Sequence, residues 1–140
     1  MKPAKCKGCP LYEAEGPVWG NGPSDAKVVL CGEAPGGDEI ASGRGFVGPA
    51  GRVLDVAIRV AALDREACWV TNVVKCLPPK RGKSHAPTKA EIEFCKKAWL
   101  DEELGRFKRC TWVAIGDVAL QALTGEKGIT EWRGAVVDRE

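Results

Sequence analysis

Four cysteines constrain this chain most, because their spacing ties its N-terminus to its middle. Cys6 and Cys9 form a Cys-x-x-Cys pair, and Cys76 and Cys95 follow far along the chain as single residues. Thiolates are soft ligands, which select zinc or an iron–sulfur cluster over magnesium or calcium. The spacing therefore predicts one metal centre held by Cys6, Cys9, Cys76 and Cys95, and it leaves the choice between zinc and iron–sulfur open.

Length and composition are those of one globular domain over residues 1–140. The chain is 44% hydrophobic and 29% charged, as in an ordinary globular protein. It contains no apolar run of about eighteen residues and no apolar core of a signal peptide after Met1. We therefore expect an intracellular, cytoplasmic protein with no membrane partner. In that compartment the cysteines are expected as ligands and buried thiols rather than disulfides.

Alternating strand and helix patterns predict an α/β fold. Apolar runs cover residues 27–31, 68–74 and 111–115, and helical patterns cover residues 50–62, 88–104 and 117–124. Each run is apolar on both faces, so we expect three buried strands of a central parallel sheet with helices on either side. Ligands of such sheets bind at the carboxyl ends of the strands.

Three side chains are candidates for chemistry, and two of them lie at predicted strand ends. Glu33 lies in Gly32-Glu33-Ala34-Pro35-Gly36, directly after the first strand, where a carboxylate can orient a water. Asn72 lies toward the end of the second strand. Phe46 lies in a loop so rich in glycine that we expect the ring to be exposed and available to stack on a planar base.

A local basic segment follows the second strand, although the net charge of the chain is only +2. Its members, with no acid among them, are Lys75, Lys80, Arg81, Lys83 and Lys89. Such a segment suits contact with a phosphate backbone, and charge alone fits a solvated loop equally well. His85 lies in the same segment, and we interpret it as solvated or phosphate-contacting.

Together these motifs resemble the family 4 uracil-DNA glycosylases, the iron–sulfur branch of that superfamily. The matching segments are Cys6-x-x-Cys9-Pro10-Leu11, Gly32 to Gly36, Gly45-Phe46-Val47-Gly48-Pro49-Ala50-Gly51, Thr71 to Pro79, and Glu91-Ile92-x-x-Cys95. The resemblance covers nearly the whole chain. It implies a three-layer α/β/α fold, a [4Fe–4S] cluster on the four cysteines, and hydrolysis of the N-glycosidic bond of uracil flipped out of DNA during base excision repair.

The resemblance also implies roles for individual residues. Phe46 would stack on the uracil, and Asn72 would hydrogen-bond its Watson–Crick edge. The backbone near Ala34 and Gly36 would hold a uracil carbonyl, and Glu33 would position water near the sugar carbon. The residues expected to contact DNA phosphates are Lys80, Arg81, Lys83 and His85.

Two departures from the family pattern leave alternatives open. The family carries a later His-Pro-Ser segment that inserts into DNA, and this sequence reaches Glu140 without one. We therefore expect a C-terminally truncated fold: a fragment of a longer protein, a chain complemented by a partner, or an enzyme whose rate is lowered on the order of 100- to 1,000-fold. The alternative is a non-catalytic [4Fe–4S] DNA-binding domain of a larger replication or repair protein. A zinc-stabilised interaction domain is the third hypothesis.

His85 raises a separate alternative. Another branch of the superfamily captures uracil covalently through a histidine in a basic loop at a similar place. The loop here is shorter, and Ala34 stands where that branch has glutamine. We therefore favour a solvated or phosphate-contacting histidine over a nucleophile for His85.

Overall fold

The strands form one parallel sheet whose carboxyl ends lie along the same edge. The computed structural model describes residues 1–138. Its strands are β1 (Val28–Gly32), β2 (Trp69–Asn72) and β3 (Thr111–Ala114). The sheet order is β2-β1-β3 with both pairs parallel, and the register places Gly32 opposite Asn72. The three predicted strands and the α/β class are confirmed.

Helices occupy most of the connections between strands. The α-helices are α1 (Gly37–Ser42), α2 (Pro49–Val60), α3 (Lys89–Cys95), α4 (Asp101–Arg106), α5 (Asp117–Thr124) and α6 (Ile129–Trp132). Short 3₁₀-helices cover Ala4–Cys6 and Arg65–Ala67, and a π-helix covers Lys96–Leu100. Among residues 1–138, no helix combines the length and the apolar character needed to cross a bilayer.

The helix predicted over residues 88–104 begins as expected but is not one regular helix. Thr88 and Glu91 form the predicted capping box, with the Thr88 side chain accepting from the Glu91 amide and the Glu91 side chain accepting from the Thr88 amide. After Cys95 the chain passes through the π-helix before α4 begins. A π turn contains one residue more than an α turn. The apolar spacing predicted a helix, but it did not predict that the extra residue would rotate the side chains beyond it to another face.

Both faces of the sheet are covered by helices. On one face, Leu30 of β1 and Val70 of β2 pack with Ile58 of α2. On the other face, Cys31 packs with Leu100 and with residues of α4 and α5. Because successive residues of a strand point to opposite faces, Leu30 and Cys31 belong to different layers. The helices and the sheet thus form three layers.

The third strand is less buried than its apolar sequence indicates. Its residues alternate between exposed and half-buried, and Val113 is 37% exposed. Within residues 1–138, β3 pairs only with β1 and is therefore an edge strand. The prediction that all three strands are buried on both faces was wrong for β3. At the other edge β2 is buried, and there Val70 also pairs with Asn21 from the segment before β1.

Candidate active site and metal centre

Phe46 and Asn72 meet at Gly32, where the carboxyl ends of β1 and β2 lie side by side. Asn72 is the last residue of β2, is 4% exposed and lies opposite Gly32 in the register. A Cβ atom on Gly32 would lie 2.3 Å from Phe46 Cζ and 2.6 Å from Asn72 Oδ1. Only glycine fits there, so the structure brings two predicted site residues together at the predicted edge of the sheet.

Phe46 is not exposed, and that expectation from the sequence was wrong. The residue is 9% exposed, and it packs with Leu30, Ile58 and Val70. Glycines around Phe46 allow the loop to close over the end of the sheet instead of holding the ring in solvent. One edge of the ring still faces Gly32, so the ring belongs both to the core and to the site.

Glu33 lies immediately beyond Gly32, on the segment that follows β1. Its carbonyl accepts from the Val74 amide at 2.9 Å, and the Gly32 carbonyl accepts from the Val73 amide at 2.8 Å. These bonds extend the pairing of the two strands beyond their ends. The side chain of Glu33 is half-buried, and this burial raises the pKa of its carboxyl above the ordinary value.

Ala34 and Gly36 complete the turn after β1. Ala34 is half-buried against the core cluster that contains Cys31. The Gly36 amide donates to Glu39 Oε2 at 3.0 Å. The backbone near Gly36 is therefore held by a side chain of α1, a contact that the sequence pattern does not predict.

All four predicted metal ligands line one cavity. Cys6, Cys76 and Cys95 are buried and Cys9 is half-buried, and aromatic side chains including Trp99 close the cavity. All seven cysteines are free thiols. The structure thus brings together the N-terminal pair and the two distant single cysteines.

Backbone amides and burial shape the environment of these sulfurs. The Leu11 amide donates to Cys9 Sγ and the Lys75 amide donates to Cys95 Sγ, each at 3.3 Å. Burial raises the pKa of the Cys95 thiol to about 11 and also raises that of Cys76, so bound metal is needed to keep them as thiolates. In residues 1–138 no three His, Cys, Asp or Glu side chains surround a single ion position.

Lys75 does not belong to a basic surface, contrary to the sequence interpretation. Its side chain is 2% exposed, and Nζ lies 2.6 Å from Glu103 Oε2. Nζ also donates to Thr71 Oγ1 at 2.7 Å and to the Asn72 carbonyl at 2.6 Å. A lysine in the apolar run before Cys76 was the available signal for a buried ion pair, but its partner lies on α4 and is not visible in the sequence.

Arg81 is only partly available to a partner. Its guanidinium pairs with both oxygens of Glu91, at 2.5 Å and 3.3 Å, and donates to the Ala86 carbonyl. Burial alone would raise the pKa of Glu91, but the hydrogen bonds from Arg81 and Thr88 hold it below the ordinary value. The side chain of Arg81 remains 43% exposed. It therefore also anchors the loop to α3.

The remaining residues of the basic loop face solvent. Lys80 and Lys83 are exposed. His85 is exposed as well, with Nδ1 2.8 Å from the Pro78 carbonyl oxygen. This loop, residues 77–88, lies between Cys76 and α3, and Cys95 is the last residue of α3.

The sequence of the chain matches a known protein family over most of its length. The sequence profile of the Uracil DNA glycosylase superfamily matches residues 19–138. The chain belongs to that superfamily, and the resemblance inferred from its motifs is confirmed.

Individual relatives agree with this assignment. The chain is 36% identical to a type-4 uracil-DNA glycosylase of Thermotoga maritima, over 96% of this chain and 69% of the relative. It is 39% identical to a type-4 uracil-DNA glycosylase of Sulfurisphaera tokodaii, over 92% of this chain and 60% of the relative. A type-5 uracil-DNA glycosylase of Thermus thermophilus is 32% identical over 81% of this chain and 56% of its own length. The chain thus spans roughly three-fifths of the length of these relatives.

Proposed function

We propose that this chain carries the uracil pocket and the cluster site of a uracil-DNA glycosylase. Its substrate would be uracil in DNA, and its reaction the hydrolysis of the N-glycosidic bond of deoxyuridine in base excision repair. The observation that supports this proposal most is the convergence of Phe46 and Asn72 on Gly32, next to Glu33. This arrangement lies at the strand ends where α/β sheets bind ligands.

Base recognition would follow from the chemistry of two side chains. A glycosylase cannot reach the sugar–base bond in a stacked duplex, so the nucleotide leaves the stack and enters a pocket. The Asn72 amide offers one donor group and one acceptor to the Watson–Crick edge of uracil. A pocket built around such paired hydrogen bonds strongly rejects a base that cannot form them. Phe46, whose ring edge faces Gly32, would stack on the uracil through a face of the ring.

Bond cleavage would use Glu33 and a water molecule. In the net reaction the bond between the sugar C1′ and uracil N1 breaks, and its electrons leave with the base. The water oxygen bonds to C1′, and one water proton ends on the departing uracil. In its ionised form, Glu33 would orient this water as the proton acceptor. The backbone of residues 33–36 would face the uracil carbonyl on which negative charge develops.

DNA phosphates would contact the loop between Cys76 and α3. Lys80 and Lys83 would supply exposed charge, and His85 an exposed ring. Arg81 would contribute only through the part of its guanidinium not engaged by Glu91. Phosphate contacts of this kind fix the register of a protein on DNA without reading its sequence.

The group on the four cysteines would be a [4Fe–4S] cluster. Cys6, Cys9, Cys76 and Cys95 would hold it, with amide donors on two of the sulfurs. When bound, the cluster would act as a structural brace between the N-terminal pair and the basic loop.

We expect the anaerobically purified protein to be brown, with broad visible absorption and with iron and acid-labile sulfide in equal amounts. Cys95→Ser is expected to lose most of this absorption, because the substitution removes a sulfur that lines the cavity. Cys110→Ser is the matched control, since Cys110 lies outside the cavity and donates to the Ala26 carbonyl. A colourless protein containing one zinc ion per chain would contradict the cluster assignment.

The function is tested by base excision from defined oligonucleotides. Uracil-containing single- and double-stranded DNA is incubated with this chain, and abasic sites are then cleaved with alkali. A second protein carries the C-terminal part of the Thermotoga maritima relative joined after residue 138, so that the longer form is tested as well. We expect excision by the extended form and, with intact pocket residues, at a lower rate by this chain.

Asn72→Ala provides the control for base recognition in the same assay. We expect excision to fall on the order of 10⁴-fold, as when buried polar groups of a site lose their partner, while affinity for DNA without uracil stays the same. An equal loss of both would contradict the role of Asn72. If neither form excises uracil but both bind DNA with salt-sensitive affinity, the non-catalytic DNA-binding hypothesis replaces this one.

A further inference from the structure

Phe46 has a backbone conformation that an aromatic residue seldom adopts. Its φ is +55°, in the left-handed region. A bulky residue there costs about 1–3 kcal/mol and persists only where its surroundings enforce it. Groups that enforce this conformation must therefore contact the loop around Phe46.

Glu39 of α1 holds the residues that follow Phe46. Its Oε1 accepts from the Val47 amide at 3.1 Å and from the Gly48 amide at 3.0 Å. Its Oε2 accepts from the Gly36 amide at 3.0 Å. One carboxylate thus joins the loop after Phe46 to the loop after β1. Burial alone would raise the pKa of Glu39, but these backbone hydrogen bonds hold it below the ordinary value, so the group stays charged at neutral pH.

Arg65 holds the residue that precedes Phe46. Its Nη2 donates to the Gly45 carbonyl at 2.7 Å, and its Nη1 pairs with Asp55 Oδ1 at 2.5 Å. The Arg65 side chain is only 19% exposed, so this geometry is fixed by packing as well as by charge. Gly51 of α2 packs closely against the Phe46 backbone, since a Cβ atom on Gly51 would lie 2.0 Å from the Phe46 carbonyl oxygen.

We propose that Glu39 and Arg65 are positioning residues for base recognition. The two residues form a clamp, in which Glu39 holds the chain after Phe46 and Arg65 holds the chain before it. This clamp keeps Phe46 in the left-handed conformation, in which its ring edge faces Gly32 and Asn72. No contact joins either charged group to Asn72 in residues 1–138, so they act through the loop. The inference rests on the proposed function for its effect on catalysis, whereas the clamp itself has a readout that needs no activity.

The test compares Glu39→Ala, Glu39→Gln and Arg65→Met in the form of the protein that excises uracil. Three quantities are measured: the single-turnover excision rate at saturating protein, the protein concentration that gives half of that rate, and the exchange rates of the Val47 and Gly48 amide hydrogens. We expect the saturating rate to fall roughly 100-fold for Glu39→Ala, as for a misplaced reacting group. The half-saturating concentration should stay within about twofold, because general DNA contacts are unchanged.

Glu39→Gln distinguishes positioning from simple folding. A glutamine oxygen can still accept from Val47 and Gly48, but its NH₂ group then faces the Gly36 amide, so two donors oppose each other. We expect this variant to remain folded, with an excision rate between those of wild type and Glu39→Ala. Arg65→Lys should likewise retain more of the rate than Arg65→Met, since it keeps one donor for the Gly45 carbonyl. Glu66→Gln, which removes only an exposed ion pair with Arg44, is the control and should change nothing.

The exchange rates and the excision rates together decide whether the clamp exists and whether it positions Phe46 for excision. Faster exchange at Val47 and Gly48 together with a lower saturating rate supports the clamp as a positioning device. Faster exchange with an unchanged rate overturns the positioning role, and unchanged exchange in Glu39→Ala overturns the clamp itself. If the wild-type protein excises no uracil, the proposed function fails, and amide exchange still decides whether the clamp exists.

Discussion

Replacing Lys75 with methionine is expected to lower the free energy of unfolding by about 3–5 kcal/mol. The substitution leaves the Glu103 carboxylate, whose side chain is only 14% exposed, without its cationic partner. It also removes a donor from the Asn72 carbonyl and from Thr71. Methionine fits the volume of the lysine stem, so the loss reports the uncompensated charge rather than a cavity. The measurement is the shift in the midpoint of urea unfolding at unchanged slope.

Two further variants identify the cause of the expected loss. Lys89→Met breaks an exposed pair with Glu93 on one helix and is expected to cost only about 0.3–0.5 kcal/mol. The double variant Lys75→Met with Glu103→Leu removes both charges and should regain much of the loss, because no buried charge then lacks a partner. If Lys75→Met unfolds at the same urea concentration as Lys89→Met, the buried pair does not stabilise the fold.

Gly32→Ala is expected to reduce uracil excision by roughly 100-fold, the scale for displacement of a substrate-positioning group by about 1 Å. The new methyl group would lie 2.3 Å from Phe46 Cζ and 2.6 Å from Asn72 Oδ1, far inside van der Waals contact. Both proposed base-reading side chains must then move apart. Overpacking of this kind also costs about 1–3 kcal/mol of stability. The excision assay is therefore run well below the unfolding temperature of the variant, so that the protein stays folded.

Gly37→Ala is the matched control, at the first residue of α1 in the segment that follows β1. Apart from its chain neighbours and the backbone of its own helix, a Cβ atom on Gly37 would have no heavy atom of another residue within 4 Å. We expect its excision rate to stay within a factor of a few of wild type. An equal effect of the two substitutions would indicate that excision responds to the loss of glycine in general and not to the crowding at Gly32.

The strands and the convergence of the four cysteines on one cavity could be predicted because their signals are local or follow from residue chemistry. Short β-branched runs specify strands over four or five residues. Two cysteines at Cys-x-x-Cys spacing indicate that both can bind one metal centre. The alternation of elements then places Asn72 at the edge of a parallel sheet where ligands bind. For these features, sequence neighbours carry nearly all of the information.

The errors concern side chains whose surroundings come from distant parts of the chain. Phe46 was expected in solvent because its neighbours are glycines, but the residues that bury it lie on β1, β2 and α2. Lys75 was counted as surface charge because no acid is near in the sequence, but Glu103 comes from α4. Tertiary contacts decided both. Arg81 also pairs with Glu91 of the α3 capping box, and its contact with DNA stays a prediction.

The π-helix between α3 and α4 has a consequence for the evolution of the chain. A π turn is equivalent to one residue inserted into an α-helix, and such an insertion rotates everything beyond it by about 100°. Cys95, which faces the cavity, and Glu103, which faces Lys75, lie on opposite sides of this turn. Deleting one residue from 96–100 would restore a regular helix and swing one of these two side chains away from its partner. In a relative whose helix is regular there, we expect either the cavity-lining cysteine or the buried carboxylate at a shifted position.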